Sequence, residues 1–387
     1  MVVVQAKRMT DIPFSGIREI FEECNRLEAE GRDIVHFEIG RPDFDTPAPI
    51  KAAAKQAIDD GHVYYTSNSG LLELREGIAQ KFATENGLEY DPADEIVVTS
   101  GATEAIFITI LALVDPGDEV LVPDPHWTYE PAINAAGGAT VPYRLDPEDG
   151  FQPDEASLRE AVSDDTKLLI VNTPQNPTGG VLSESGAEIV RDVAVEHDLL
   201  VLSDEIYEKI IYGAPHRSVA TMDGMFERTV TVNGFSKSYS MTGWRLGYLA
   251  APADLIDPII RLRQYTSTCA SSISQHAGLR ALEGDLHEPL VDAFAERREV
   301  LLDRIDAIPG MSCPDPQGAF YAMPTIPHGA TDVESFVWSL LRDEGVATVP
   351  GTVFGSAGEG RIRLAYSIST ERIEEAFDRI EAWVQKQ

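Results

Sequence analysis

Cysteine is scarce in this chain. Cys24, Cys269 and Cys313 are the three in 387 residues, and their spacing shows no pairs. That excludes a disulfide framework and suits a reducing compartment. Long apolar runs are missing too. The longest strongly apolar stretch, Ile106 to Val114, is far short of the roughly 20 residues a membrane helix needs. The N-terminus lacks an apolar segment of the usual signal-peptide kind. The expectation is a soluble, cytoplasmic protein. The eight histidines are scattered with no metal-ligand spacing, so no metal is expected. No Gly-x-Ser-x-Gly nucleophile elbow occurs either. Basic residues are few: 31 Lys and Arg stand against 64 Asp and Glu, a formal net charge of -33. Phosphate contacts need clustered Lys and Arg, so nucleic acid is a poor partner. The acidic residues are spread along every segment rather than gathered in a tail. A surface of that kind stays hydrated in high salt, where screening suppresses its self-repulsion. Adaptation to a salty, halophilic cytoplasm follows as an expectation.

What is present is an α/β pattern. The length and the 43% hydrophobic content allow a large core and more than one domain. Strands are expected at Ile96–Thr99, Glu119–Pro123, Leu168–Asn172, Leu199–Ser203, Thr229–Asn233 and Leu246–Ala250. Helices alternate with them: Glu104–Val114 is apolar, and Ser183–His197 opens on Ser183 as a cap. Such alternation predicts a mostly parallel sheet flanked by helices. The chain ends read differently. Helices are expected at Ile17–Gly31 and His287–Ile308, and short strands at Gly318–Met323 and Gly360–Ile368. Residues 46–284 are therefore expected as a large domain, with 1–45 and 285–387 joined in a smaller α+β domain.

Function in such sheets gathers at the C-terminal ends of strands. Gly101, Asn176, Asp204 and Lys237 all fall within a few residues of those ends. Lys237 is one of only eight lysines, placed just after an apolar strand in Asn233-Gly234-Phe235-Ser236-Lys237-Ser238. Arg245 follows eight residues on, and Asp204 closes an upstream strand. An amine, a carboxylate and an arginine so arranged suggest a covalent cofactor site. Lysine forms Schiff bases with carbonyls, and pyridoxal phosphate is the common biological aldehyde of that kind.

Six motifs in order strengthen this: Gly40-Arg41-Pro42-Asp43-Phe44, Asn176-Pro177-Thr178-Gly179, Ser203-Asp204-Glu205-Ile206-Tyr207, Ser236-Lys237, Gly243-Trp244-Arg245 and Arg361-Ile362-Arg363. Together they resemble the PLP-dependent class I/II aminotransferases of fold type I, nearest the branch of prokaryotic aspartate and aromatic aminotransferases. The resemblance runs from about Ile12 to the C-terminal helix. It implies pyridoxal 5'-phosphate as cofactor, held by Lys237, which then acts as the proton shuttle. Asp204 would pair with the pyridine nitrogen, and Tyr207 and Asn176 would bond the phenolic oxygen. Gly101, Ala102 and Thr103, with Ser236 and Arg245, would take the phosphate at a helix N-terminus. Trp127 would stack on the ring. Tyr65 would reach the phosphate of a neighbouring subunit, which implies a homodimer with shared sites. Arg363, aided by Gly40 and Asn176, would bind the substrate carboxylate through its planar fork. Arg361, two residues earlier, is expected on the same side of the strand.

The implied reaction belongs to amino-acid metabolism: transfer of an amino group between an L-amino acid, aspartate or aromatic, and 2-oxoglutarate. No cation in the helix Glu104–Val114 awaits a second substrate carboxylate, whereas Arg41 beside Gly40 supplies one. Aspartate, aromatic, alanine and broad specificity therefore all stay open. A β- or γ-eliminating lyase uses the same cofactor residues and is the alternative. A non-catalytic PLP-binding regulator is disfavoured by the acidic surface and the near full-length resemblance.

Overall fold

The computed structural model describes residues 5–386, apart from Pro13, Ala214 and Thr331. Its centre is an eight-stranded sheet. In spatial order the strands are Ile96–Thr99, Gly247–Ala250, Thr229–Gly234, Leu200–Asp204, Thr166–Asn172, Glu119–Asp124, Ala139–Asp146 and Gln152–Pro153. The five from Thr229–Gly234 to Ala139–Asp146 are mutually parallel. Gly247–Ala250 runs antiparallel to both of its neighbours, and Gln152–Pro153 closes the far edge antiparallel.

The central strands are buried almost throughout because both faces of the sheet are covered there, whereas Ala139–Asp146 near the edge is only partly buried. Alternate side chains go to different cores, as the two-residue period requires. Leu121, Leu169 and Val201 join one buried cluster, while Val120, Val122, Leu168, Ile170, Leu202 and Val232 join another. A third cluster gathers Ile96, Val98, Tyr248 and Ala250 against Leu74, Ile78 and Phe82. The first cluster extends without a break to Phe294, Leu301, Phe336 and Phe377, so one face of the sheet carries the C-terminal elements on its own core.

Two small sheets lie outside the large one. Val35–His36 pairs parallel with Val346–Ala347. Ile362–Ala365 is flanked antiparallel by Tyr321–Ala322 and Val349–Pro350. Strand pairing at 318–323 and 360–368 is shorter than expected. Gly318 makes only an isolated bridge to Ile211, and Arg361 one to Thr325. The helix at Glu184–Glu196 starts where its cap requires: the Ser183 side chain accepts from the Gly186 N–H. Among the described residues, no helix is long and apolar enough to cross a membrane.

Candidate active site

The strand ends converge on one cavity of about 350 Å³. Register explains the convergence. Asn172 is paired with Asp204, and Asp204 with Val232, so the loops leaving these parallel strands emerge side by side. Lining the cavity are Gly40, Ala102, Thr103, Trp127, Asn176, Asp204, Tyr207, Ser236, Lys237, Arg245 and Arg363, all expected there, together with Arg41. Cations outnumber carboxylates: Lys237, Arg41, Arg245 and Arg363 line it with Asp204, while Glu38 meets Arg363 through its backbone carbonyl and gives its carboxylate to His36. In a chain of net charge -33, this is a local reversal of sign that favours an anionic ligand.

The Lys237 amine sits between aromatic rings, 5.7 Å from the centres of both Tyr207 and Phe320. It donates to the Gly40 carbonyl at 2.7 Å. Burial, helped by the Arg363 and Arg245 charges, pulls its pKa down to about 8, with Asp204 pulling the other way. The Asp204 carboxylate is buried at the end of its strand. It accepts from the Tyr129 hydroxyl at 2.9 Å and the Ile206 N–H at 3.3 Å. Burial raises its pKa to about 6 despite these donors. The Tyr207 hydroxyl lies 2.9 Å from that of Tyr321. Burial first, then the neighbouring Tyr321, holds the Tyr207 phenol well above its ordinary range.

A different end of the cavity is made from backbone. The helix Ala102–Leu113 begins there, capped by Gly101 at φ 89°. Its first N–H groups have no intrahelical acceptor and carry the positive end of the helix dipole. Arg245, itself at φ 52°, stands beside this terminus and donates to the carbonyls of Thr242 and Ser100. The fit is close enough to demand glycine. A Cβ on Gly101 would lie 2.6 Å from Arg245 Nη2, and one on Gly247 would lie 2.5 Å from the Ala102 nitrogen. Gly101 therefore shapes the cavity without lining it.

Arg363 occupies the opposite wall, 2% exposed. Its guanidinium carbon lies over the rings of Tyr321 and Phe354, 5.0 and 4.9 Å from their centres. It donates to the Glu38 carbonyl and, at 3.3 Å, to Asn176 Oδ1. Its Nε has no partner. Arg361 does not share this wall, contrary to the spacing argument. The strand starts only at Ile362, and the Arg361 guanidinium instead donates to the Met323 carbonyl and lies over Phe151. Tyr65 is 87% exposed and lies outside the cavity of its own chain. Tyr129 and Tyr321 are the site residues that sequence reasoning missed. Tyr129 stands two residues after Trp127, but nothing local ties it to Asp204; the fold brings it there, and Tyr321 to Tyr207.

The family described as aminotransferase class I and II matches residues 32–380. The chain belongs to that family. It is 42% identical to an aspartate aminotransferase of Pyrococcus abyssi, over 95% of each chain. It is 40% identical to aromatic-amino-acid aminotransferase 2 of Thermococcus litoralis, again over 95% of each. The solved alanine aminotransferase of Pyrococcus furiosus superposes with a TM-score of 0.95 at 34% identity, covering 99% of this chain and 100% of that one. The chain is thus an aminotransferase, its substrates are amino and 2-oxo acids, and its cofactor is pyridoxal 5'-phosphate. The cavity suits that cofactor. An aldehyde, a pyridine nitrogen and a phosphate would meet a low-pKa amine, a buried carboxylate, and a helix N-terminus beside a guanidinium.

Proposed function

We propose that this aminotransferase moves the amino group of an L-amino acid, aspartate or aromatic, to 2-oxoglutarate, with Lys237 as the group that holds the cofactor and carries the proton. The bound pyridoxal ring supplies the electron sink that makes the substrate α-proton removable. The observation that carries the reading is the Lys237 amine, its pKa lowered to about 8 within reach of both Asp204 and Arg363. An amine so tuned is roughly one-tenth neutral at pH 7 and about half neutral at pH 8, far more than an ordinary lysine, and the neutral form is what covalent capture and proton abstraction require.

The other roles follow from position. Asp204, fixed by Tyr129, is the counter-charge for a pyridinium nitrogen. Tyr207 and Asn176 serve the phenolic oxygen. Ala102, Thr103, Ser236 and Arg245, shaped by Gly101, serve the phosphate, and Trp127 covers the ring. Arg363 has an unused Nε and is the partner of the substrate carboxylate, with Gly40 and Asn176 beside it. Once Arg245, Lys237 and Arg363 are assigned, Arg41 is the remaining cation on the cavity wall, which favours a second carboxylate on the substrate. Ile17, Ile106 and Trp127 on the same wall suit an aromatic side chain.

A homodimer is part of the proposal. Val63, Tyr64, Tyr65 and Tyr265 are 56%, 81%, 87% and 84% exposed, large side chains that a second copy would cover, bringing Tyr65 to the partner's phosphate. A cytoplasmic location and the division into a large domain of 46–284 and a small domain of 1–45 with 285–387 complete it. The pairing of Val35–His36 with Val346–Ala347 supports that division.

The test offers the cofactor-loaded protein single L-amino acids with 2-oxoglutarate in high salt, and measures glutamate and ammonia. Glutamate should form from aspartate or from phenylalanine and tyrosine, without ammonia. Ammonia released in step with oxo acid would replace the transfer with elimination. Glutamate formed from alanine alone would remove the stated specificity.

A further inference from the structure

Residues 36–41 run along the active site. The Glu38 carbonyl accepts from Arg363, and the Gly40 carbonyl accepts from Lys237. The same segment contributes to a cluster with no part in that chemistry. Cys24, fully buried, comes from the helix Gly16–Ala29. His36 ends the strand Val35–His36, and Glu38 follows two residues later. Past the strand end the chain bends at Glu38, and this brings its carboxylate back to the His36 ring. Phe37 between them goes the other way, edge-on to Phe377.

One donor atom from each of Cys24, His36 and Glu38 lies within 4.8 Å of the others. His36 Nδ1 is 2.8 Å from Glu38 Oε1. The other ring nitrogen, Nε2, is 3.2 Å from Glu28 Oε1. Glu38 is 0% exposed, and its second oxygen, Oε2, has no hydrogen-bond partner. A buried carboxylate oxygen without a partner is costly, and a cation bound beside it removes that cost.

We propose that Cys24, His36 and Glu38 form a binding site for a divalent transition-metal ion, zinc foremost. Thiolate, imidazole and carboxylate together are a zinc donor set, whereas calcium and magnesium take oxygen ligands. The ring of His36 is already oriented as a ligand. Its Nδ1 faces the cluster, and its Nε2 is set by the Glu28 carboxylate, the outer partner a ligating histidine commonly has. Three protein ligands leave a fourth position to water or to Glu38 Oε2. His36, whose two ring nitrogens both face carboxylates, is protonated without the ion; on binding, the Cys24 thiol and the His36 Nδ1–H each give a proton to solvent, and the ion ties the strand to the helix. The ligands are too widely spaced in sequence, at 24, 36 and 38, to form a compact motif. The scattered histidines therefore concealed the site.

The cofactor-loaded enzyme should be stripped with chelator, incubated with zinc chloride alone in high salt so that the acidic surface is screened, and desalted. Its metal is then counted by mass spectrometry beside Cys24→Ser and Glu38→Gln. The wild type should keep about one zinc per chain, and each variant at least roughly ten-fold less affinity. Cobalt in place of zinc should give visible d–d bands, outside the pyridoxal absorbance, that vanish in Cys24→Ser. The unchanged cofactor spectrum and melting midpoint of the metal-free variants establish that they fold. Should Cys24→Ser fail to fold, the isosteric Glu38→Gln decides. Wild type that holds no more zinc than the variants overturns the site.

Discussion

Burial first, and then the charges of Arg363 and Arg245 in the same cavity, disfavour the charged Lys237 amine. The amine should therefore titrate near 8 instead of at the ordinary 10.5. In the cofactor-free protein, only the neutral amine attacks an aldehyde. The rate of pyridoxal phosphate uptake should rise about tenfold per pH unit below that point and level off above about pH 8. Stopped-flow absorbance at a series of pH values would show it, and a rate still climbing at pH 10 would contradict the assignment. Replacing the amine altogether tests the role more bluntly. Lys237→Ala should lose turnover by about 10²–10⁴-fold or more, the range a positioned proton carrier contributes, while the fold survives by circular dichroism. Arg363 makes a different argument. Lying over two rings with Nε unpartnered, it offers a planar fork that lysine lacks. Arg363→Lys keeps the charge but should raise KM for the amino acid about 10–100-fold, equivalent to the roughly 1.5–3 kcal/mol of a charged hydrogen bond. Steady-state kinetics with kcat separated from KM is the measurement. A KM unchanged within error would move the carboxylate partner elsewhere, with Arg41 next in line.

At the level of elements, the phosphate end of the cavity depends on how a strand meets a helix. Thr99 pairs with Gly247, and the helix Ala102–Leu113 starts directly over that pair. Gly247→Ala would push a methyl against the Ala102 nitrogen and the Gly101 carbonyl carbon, at 2.5 and 2.6 Å. Both are backbone atoms, so the helix terminus must shift. A loss of about 1–3 kcal/mol is expected in a urea melt, together with weaker cofactor binding. Weakened binding without destabilisation would show that the contact relaxes freely. This junction also shows what the sequence could reveal. The strand that ends at Asp204 and the one that ends just before Lys237 were legible because both faces are buried and the runs are rich in Leu, Val and Thr. The strand Ala139–Asp146 was not: only Tyr143 and Leu145 are buried, its polar and apolar residues alternate irregularly, and it contains Pro142. The antiparallel sense of Gly247–Ala250 leaves no local signature at all, because direction belongs to the pairing and not to the strand. Site residues behaved alike. Lys237, Asp204 and Asn176 stand in motifs at strand ends, whereas Tyr129 and Tyr321 reach the site only through tertiary packing. Arg361 was misplaced because the two-residue period holds inside a strand, and the strand begins after it.

For the whole molecule, the deciding quantity is the net charge of -33. Few basic groups are available to offset it, and several of those are spent inside. Arg363 and Arg263 are buried, and Lys81 is held between Glu208 and Glu85. Surface arginines are already engaged in local pairs: Arg372 and Arg379 both hold Asp33, and Arg304 holds Asp378 and Glu381. Exposed pairs of this kind contribute only about 0.2–1 kcal/mol each, and salt weakens them. The long-range repulsion among the unpaired carboxylates is weakened by salt as well. Because unpaired carboxylates are in large excess, relief of repulsion should win over loss of pairs. Raising ionic strength from about 0.1 M to about 1 M shortens the Debye length from about 10 Å to about 3 Å, below the spacing of most surface charges. The melting midpoint should therefore rise with potassium chloride, and rise equally with sodium chloride if screening is the cause. The same screening should let acidic protomers approach, so a dimer that buries Tyr65 and Tyr265 should dissociate first as salt is removed, taking activity with it. Light scattering and turnover measured together along a salt series test both. A midpoint that falls with salt would mean that the paired arginines outweigh the excess charge.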